Sequence, residues 1–99
     1  MWYVFNATDA DNSLDNRIKY RPEHLARLNK LINEGRLLLA GAYPAIDNID
    51  PGENGFNGSL IVAEFDSLEE AKSWADKEPF LQHGIYTSID IKPFKKSLP

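Results

Sequence analysis

Three short runs in this chain are apolar on consecutive residues, and two stretches of helical periodicity are set among them. Trp2–Ala7 (WYVFNA), Arg36–Tyr43 (RLLLAGAY) and Gly58–Phe65 (GSLIVAEF) place aliphatic or aromatic side chains at successive positions. A strand with one wet face alternates; a strand covered on both sides does not, and these runs follow the second pattern. A fourth run, Ile85–Pro93, alternates Ile85, Thr87, Ile89 and Ile91 with Tyr86, Ser88, Asp90 and Lys92. That is the pattern of a half-buried strand.

The first helical pattern begins near Pro22 and ends at Gly35. Proline suits the first position of a helix and glycine the residue beyond its end. Between them Leu25, Leu28, Leu31 and Ile32 form a stripe spanning roughly 100° at 3.6 residues per turn. The second pattern opens on Ser67-Leu68-Glu69-Glu70, a capping box, and carries Leu68, Ala71, Trp74 and Ala75 on one side. Pro79 stops it, and a short turn through Phe80–His83 leads to Gly84. Thr8–Asn12 reads as a loop, Ser13–Arg17 as a weak turn, and residues 45–58 as a long connection rich in Gly, Asn and Asp.

The order is therefore β-α-β-β-α-β, an α+β ferredoxin-like unit with a four-stranded antiparallel sheet and both helices on one face. The other face is bare, yet three of its strands are apolar on both sides. A second copy of the sheet is the expected cover, which predicts a homodimer through the sheet face.

Composition narrows the function. At 99 residues the chain is one domain, 1–99. It has no cysteine, which excludes disulfides, thiolate metal sites and a cysteine nucleophile. Eleven Lys and Arg against fifteen Asp and Glu give a net charge of −4, with no basic stripe for nucleic acid. No apolar run is long enough to span a membrane, and the start MWYVF lacks the basic and apolar regions of a signal peptide, so a cytoplasmic location is expected.

Two histidines carry the chemistry available near neutral pH. With its helix starting near Pro22, His24 would lie in the first or second turn, where the positive end of the helix dipole favours neutral imidazole. Beside an apolar stripe it is either a general base awaiting a carboxylate or a half-buried residue bonded to a carbonyl. Glu78, just before Pro79, is either a cap on the turn that follows or that carboxylate. His83 fits the end of the same turn. The Gly52–Gly58 stretch lacks the lysine and the following helix of a phosphate loop. The histidines, 59 positions apart, form no metal motif, and Ser59 and Ser73 sit in no nucleophile context. No metal and no cofactor are indicated.

The strand Trp2-Tyr3-Val4, the segment Arg21-Pro22-Glu23-His24-Leu25-Ala26-Arg27-Leu28, and Glu34-Gly35-Arg36-Leu37-Leu38 together resemble the YciI (YCII-related) family. So do Ala40-Gly41, Pro44-Ala45-Ile46-Asp47, Gly55-Phe56-Asn57-Gly58-Ser59, Ala63-Glu64-Phe65 and Lys92-Pro93-Phe94-Lys95-Lys96. The resemblance runs over essentially the whole chain and is nearest to the short stand-alone bacterial members. It implies a dimeric α/β-barrel relative, a homodimer, and a pocket centred on a histidine and an aspartate. The histidine carries over to His24, with Arg21 beside it. The aspartate belongs to an Asp-Pro-aromatic motif, which here reads Glu78-Pro79-Phe80, a departure that shifts the carboxylate by roughly 1.5 Å: either Glu78 adopts a compensating rotamer, or the activity is altered or lost. Ser59 carries over as a polar group binding substrate. A family relative with dehydrochlorinase activity on a chlorinated hydroxyquinol implies small cyclic or aromatic substrates. Two functions remain: a cofactor-independent lyase- or isomerase-like enzyme using His24 and Glu78 for proton transfer, or a non-catalytic dimer that binds a small molecule. The enzymatic reading requires an imidazole nitrogen of His24 within about 3.2 Å of the Glu78 carboxylate.

Overall fold

Alternation along the first strand decides which side of the sheet is sealed. Tyr3, Phe5 and Ala7 are each at most 3% exposed, whereas Asn6 and Thr8 between and beyond them face solvent. The computed structural model describes residues 1–99. Its elements run β1 (Trp2–Asp9), α1 (Leu14–Asn33), β2 (Leu37–Pro44), β3 (Phe56–Glu64), α2 (Leu68–Asp76), α3 (Pro79–Gln82) and β4 (Tyr86–Phe94). The strands form one antiparallel sheet in the order β2-β3-β1-β4. This is the β-α-β-β-α-β arrangement read from the sequence, with α3 as a short addition.

Both long helices cover the same face. Leu28 and Leu31 of α1 and Ala71 and Ala75 of α2 share one core with Tyr3, Phe5, Ile61, Ala63 and Phe65. Trp74 meets Phe5 and Phe65 at centroid distances of 5.2 and 5.7 Å, which fills the corner under α2. A second, smaller core joins Ala7, Phe80, Ile85 and Tyr86 beneath α3. The sheet's other face is mixed, and β1 is not apolar on both sides as its sequence suggests. Register sets Trp2, Val4, Leu39, Leu60, Val62 and Phe94 there beside Asn6, Thr8, Asp90 and Lys92.

The first helix is longer than its pattern suggested. It starts at Leu14, eight residues before Pro22, which lies inside it on an exposed turn. There the missing N–H and the ring can be accommodated toward water. Two consequences follow. His24 sits mid-helix, so the helix dipole does not act on it as the sequence reading supposed. The face turned to the sheet is Arg17, His24, Leu28 and Leu31, while Leu25 and Ile32 are partly exposed. At the far end the expected glycine stop is present: Gly35 takes φ +71°, its N–H donates to Ile32 O and the Arg36 N–H to Leu31 O. That pair of bonds is a Schellman ending. In α2 the cap is as expected, with the Glu70 N–H donating to Ser67 Oγ at 3.1 Å. No helix is long and apolar enough to cross a membrane.

Candidate functional site

Small side chains on β2 leave room beneath α1: Ala40, Gly41 and Ala42 line a cleft together with the helix. The inward-facing Ala40 and Ala42 of β2 are exposed, and the cleft, of about 680 Å³, opens between helix and sheet. Its apolar wall is built from Ile18, Leu25, Leu28 and Ile32 of α1 and from Leu37 of β2. Its polar floor is Arg17, His24 and Ser59, with Phe80 between them and Arg21 at the rim. Of the four residues singled out in the sequence, His24, Ser59 and Arg21 line this cleft. Glu78 lies behind His24, with no exposed surface.

Glu78 is delivered by the short extended link between α2 and α3, at φ −65° and ψ 124°. Pro79 imposes that geometry on the residue before it. The side chain does not cap α3, contrary to one sequence expectation. Instead one carboxylate oxygen contacts His24 Nδ1, and the other accepts from Arg27 Nη1 at 2.8 Å. Arg27 also donates to Trp74 O at 2.8 Å and lies over the Trp74 ring at 4.3 Å. A carboxylate without solvent needs such compensation for each oxygen. An ionised carboxylate only accepts, so the hydrogen on neutral His24 resides at Nδ1 and the Nε2 lone pair is free. Nε2 has no partner within the chain and is not sealed from solvent. The imidazole stacks on Phe80 at 4.1 Å and 8°, which fixes the plane of the ring.

A second polar unit lies one and a half to two turns toward the start of α1. Arg17, only 8% exposed, grips Asp9 through Nε and Nη2 at 2.5 and 2.9 Å. Its Nη2 also reaches Gly58 O and Ser59 Oγ, both at 2.9 Å. Ser13 Oγ donates to the same Asp9 carboxylate at 2.7 Å. The guanidinium lies 5.1 Å from the Phe56 ring centre and 5.3 Å from that of Phe80. Behind both units is Tyr86, 2% exposed, whose hydroxyl is the one buried side-chain polar atom without a hydrogen-bond partner. Burial raises its phenol well above the ordinary range; nearby Ser59 and Arg17 favour the ionised form, while Glu78 and Asp9 oppose it. Ser59 thus stands close to the phenol without reaching bonding geometry.

Sequence reading missed Asp9, Arg17, Arg27 and Tyr86. Arg17, His24, Leu28 and Leu31 are spaced by seven, four and three residues, one face of a helix, but Pro22 reads as the helix start and leaves Arg17 outside it. Strict alternation puts Tyr86 on the face opposite Ile89 and Ile91. A register shift where Thr8/Asp9 meet β4 pairs Tyr86 with Asp9 and turns it inward, out of step with the alternation. His83 stacks on Tyr20 at 3.7 Å, away from the cleft lining. No three His, Cys, Asp or Glu side chains gather in an arrangement suited to a metal ion.

An antiparallel ferredoxin-like sheet with a helix-walled cleft and a buried His–carboxylate pair defines the class: a small α+β domain whose pocket opens beside the first helix. A family model for the YCII-related domain matches residues 1–95, and the chain belongs to that family. It is 53% identical over 96 residues to Protein YciI of Escherichia coli O6:H1, covering 97% of this chain and 98% of that one. An uncharacterized Haemophilus influenzae protein is 48% identical over the same share of both. Among solved structures it is similar in fold to a 5-chloro-2-hydroxyhydroquinone dehydrochlorinase of Burkholderia phenoliruptrix, in complex with 2,5-dihydroxybenzoquinone. That match has a TM-score of 0.85 at 23% identity, over 98% of this chain and 96% of the other.

Proposed function

We propose that this protein is a cofactor-independent enzyme in which His24 moves a proton on a small cyclic or aromatic molecule, positioned by Glu78. The observation that carries the reading is His24 itself, with Nδ1 bound to a buried carboxylate and Nε2 left open beside the cleft. A general base needs its accepting atom free and its other nitrogen held, and this pair supplies both. In the reaction Nε2 takes the proton and the resulting imidazolium is stabilised by Glu78. The ring faces and aliphatic wall of the cleft suit a flat apolar body, and Ser59 and Arg21, which line it, are the groups proposed to hold its oxygens. The fold shared with the dehydrochlorinase supports a hydroxylated ring as substrate. A homodimer through the open sheet face, which carries Trp2, Val4, Leu39 and Leu60, is proposed with it.

The test begins with a thermal-shift screen of phenols, quinones and lactones, followed by turnover assays on the hits. His24→Ala should keep the fold and the binding of a hit while abolishing turnover. A hit bound equally well by wild type and His24→Ala, and turned over by neither, would instead favour the non-catalytic binding dimer. His24→Ala strips one oxygen of the buried Glu78 of its partner and lowers stability for that reason, so His24→Asn, whose amide can still donate to Glu78, is the control: turnover of a hit by folded His24→Asn would overturn the proposal.

A further inference from the structure

We propose that Arg17 Nη1 and the Ser59 hydroxyl form an oxyanion-holding site in the same cleft, taking the ionised oxygen of a ring substrate whose other end meets His24. This rests on the proton-transfer reading above and extends it to a residue and a substrate class.

Arg17 is pinned on three sides. Asp9 holds one edge through Nε and Nη2, Ser59 Oγ and Gly58 O share Nη2, and the rings of Phe56 and Phe80 lie near the guanidinium. Nη1 is the exception: both its N–H groups lack a partner within the chain, yet the atom is not sealed away. Arg17 is more than nine-tenths buried and still lines the cleft, so the free edge is a fixed donor pair offered to whatever enters. Ser59 Oγ accepts from Arg17 and donates to nothing, which leaves its own hydrogen available. A guanidinium held by aromatic rings and a carboxylate has little freedom left to lose on binding, the condition for effective oxyanion stabilisation.

Spacing then limits the ligand. The Arg17 guanidinium and the His24 imidazole border the same Phe80 ring, at 5.3 and 4.1 Å from its centre. One six-membered ring with oxygens at opposite ends can meet both groups, whereas a larger ring system would not fit between them. The step balances without an oxidant or reductant. His24 Nε2 takes a proton from an O–H or C–H group of the substrate, and the electron pair left behind is delocalised through the ring to the oxygen at Arg17 and Ser59. Return of the proton to another ring position completes an isomerisation, and loss of a halide from the anion completes an elimination. In both cases the substrate is an enol, phenol or hydroxyquinone that ionises on one side of the ring.

Two probes separate this site from general affinity of the cleft for rings: 2,5-dihydroxybenzoquinone, ionised near neutral pH, and 2,5-dimethoxybenzoquinone, which cannot ionise. Calorimetric titration should show wild type preferring the dihydroxy compound. Arg17→Lys keeps a charge beside Asp9 but loses the second donor edge. It and Ser59→Ala should each weaken the dihydroxy probe about tenfold to a hundredfold and leave the dimethoxy probe nearly unchanged. His24→Ala should retain the preference, so its failure to turn over substrate would be read separately from anion binding. Equal binding of the ionised probe by wild type, Arg17→Lys and Ser59→Ala, with cooperative melting intact in all three, would overturn the proposal. So would a wild type that binds neither quinone.

Discussion

Tyr86 is the residue whose chemistry is least balanced. Its hydroxyl is buried without a partner, which costs free energy that a phenylalanine would not. Tyr86→Phe is therefore expected to leave stability unchanged or raise it by about 1 kcal/mol in urea unfolding. The same burial gives a pH signature. The folded phenol ionises well above its ordinary value near 10, so the unfolded chain loses this proton first as pH rises. The contribution is intact below about pH 10 and declines above it, by at most about 1.4 kcal/mol per pH unit. Melting curves from pH 8 to 11 should fall more steeply for wild type than for Tyr86→Phe; parallel curves would show that Tyr86 ionises as freely folded as unfolded. Neither Tyr86 nor Arg17 was legible from composition or alternation. The first is turned inward by a register shift, and the second lies on a helical turn that Pro22 hides. His24 and Glu78 were legible only as candidates, because they lie 54 positions apart and only tertiary packing brings them together.

At the scale of elements, the sequence marked most boundaries where its signals were local. The Ser67 cap and the Gly35 stop each depend on neighbours within a few residues, and both are found. The start of α1 was lost because proline there is read as a first-turn residue, whereas the fold tolerates it inside the helix. Pro22→Ala restores a helical N–H at an exposed site, and the gain is partly offset by a freer unfolded chain. A net stabilisation of about 1–2 kcal/mol is expected in chemical unfolding. A loss would mean that the proline sets an angle of α1 on which the packing depends. Gly58 is the opposite case. A Cβ there would sit 2.0 Å from Ala7 O and 3.1 Å from the Tyr43 ring, while Gly58 O already accepts from Arg17. Gly58→Ala should cost more than about 3 kcal/mol by forcing β1 and β3 apart beneath the cleft. Wild-type melting of that variant would show that the strands can yield.

For the whole molecule, the open sheet face is the main question of assembly. Trp2, Val4, Leu39, Leu60 and Phe94 are set on it by register, with Leu39 46% and Phe94 39% exposed. The polar Asn6, Thr8, Asp90 and Lys92 among them make it less apolar than the strand pattern implied, since β4 and the outer half of β1 alternate. A twofold pairing of this face remains the proposed assembly. Light scattering after size exclusion should give twice the 11.2 kDa of one chain. Leu39→Glu should shift that mass toward the monomer without unfolding it, because Leu39 lies outside the sealed core. A wild type that runs as a monomer would remove the dimer from the account.

Catalysis by His24 depends on Glu78 holding the imidazole with its hydrogen on Nδ1 and its lone pair at Nε2, ready to accept a proton. Nitrogen NMR of the imidazole ring at about pH 8 reads that arrangement directly, since the two tautomers give different ring-nitrogen shifts. A protonated Nδ1 and a bare Nε2 are expected in wild type, with the preference weakened in Glu78→Gln. A hydrogen on Nε2 in wild type, or a ring indifferent to Glu78→Gln, would contradict that dependence.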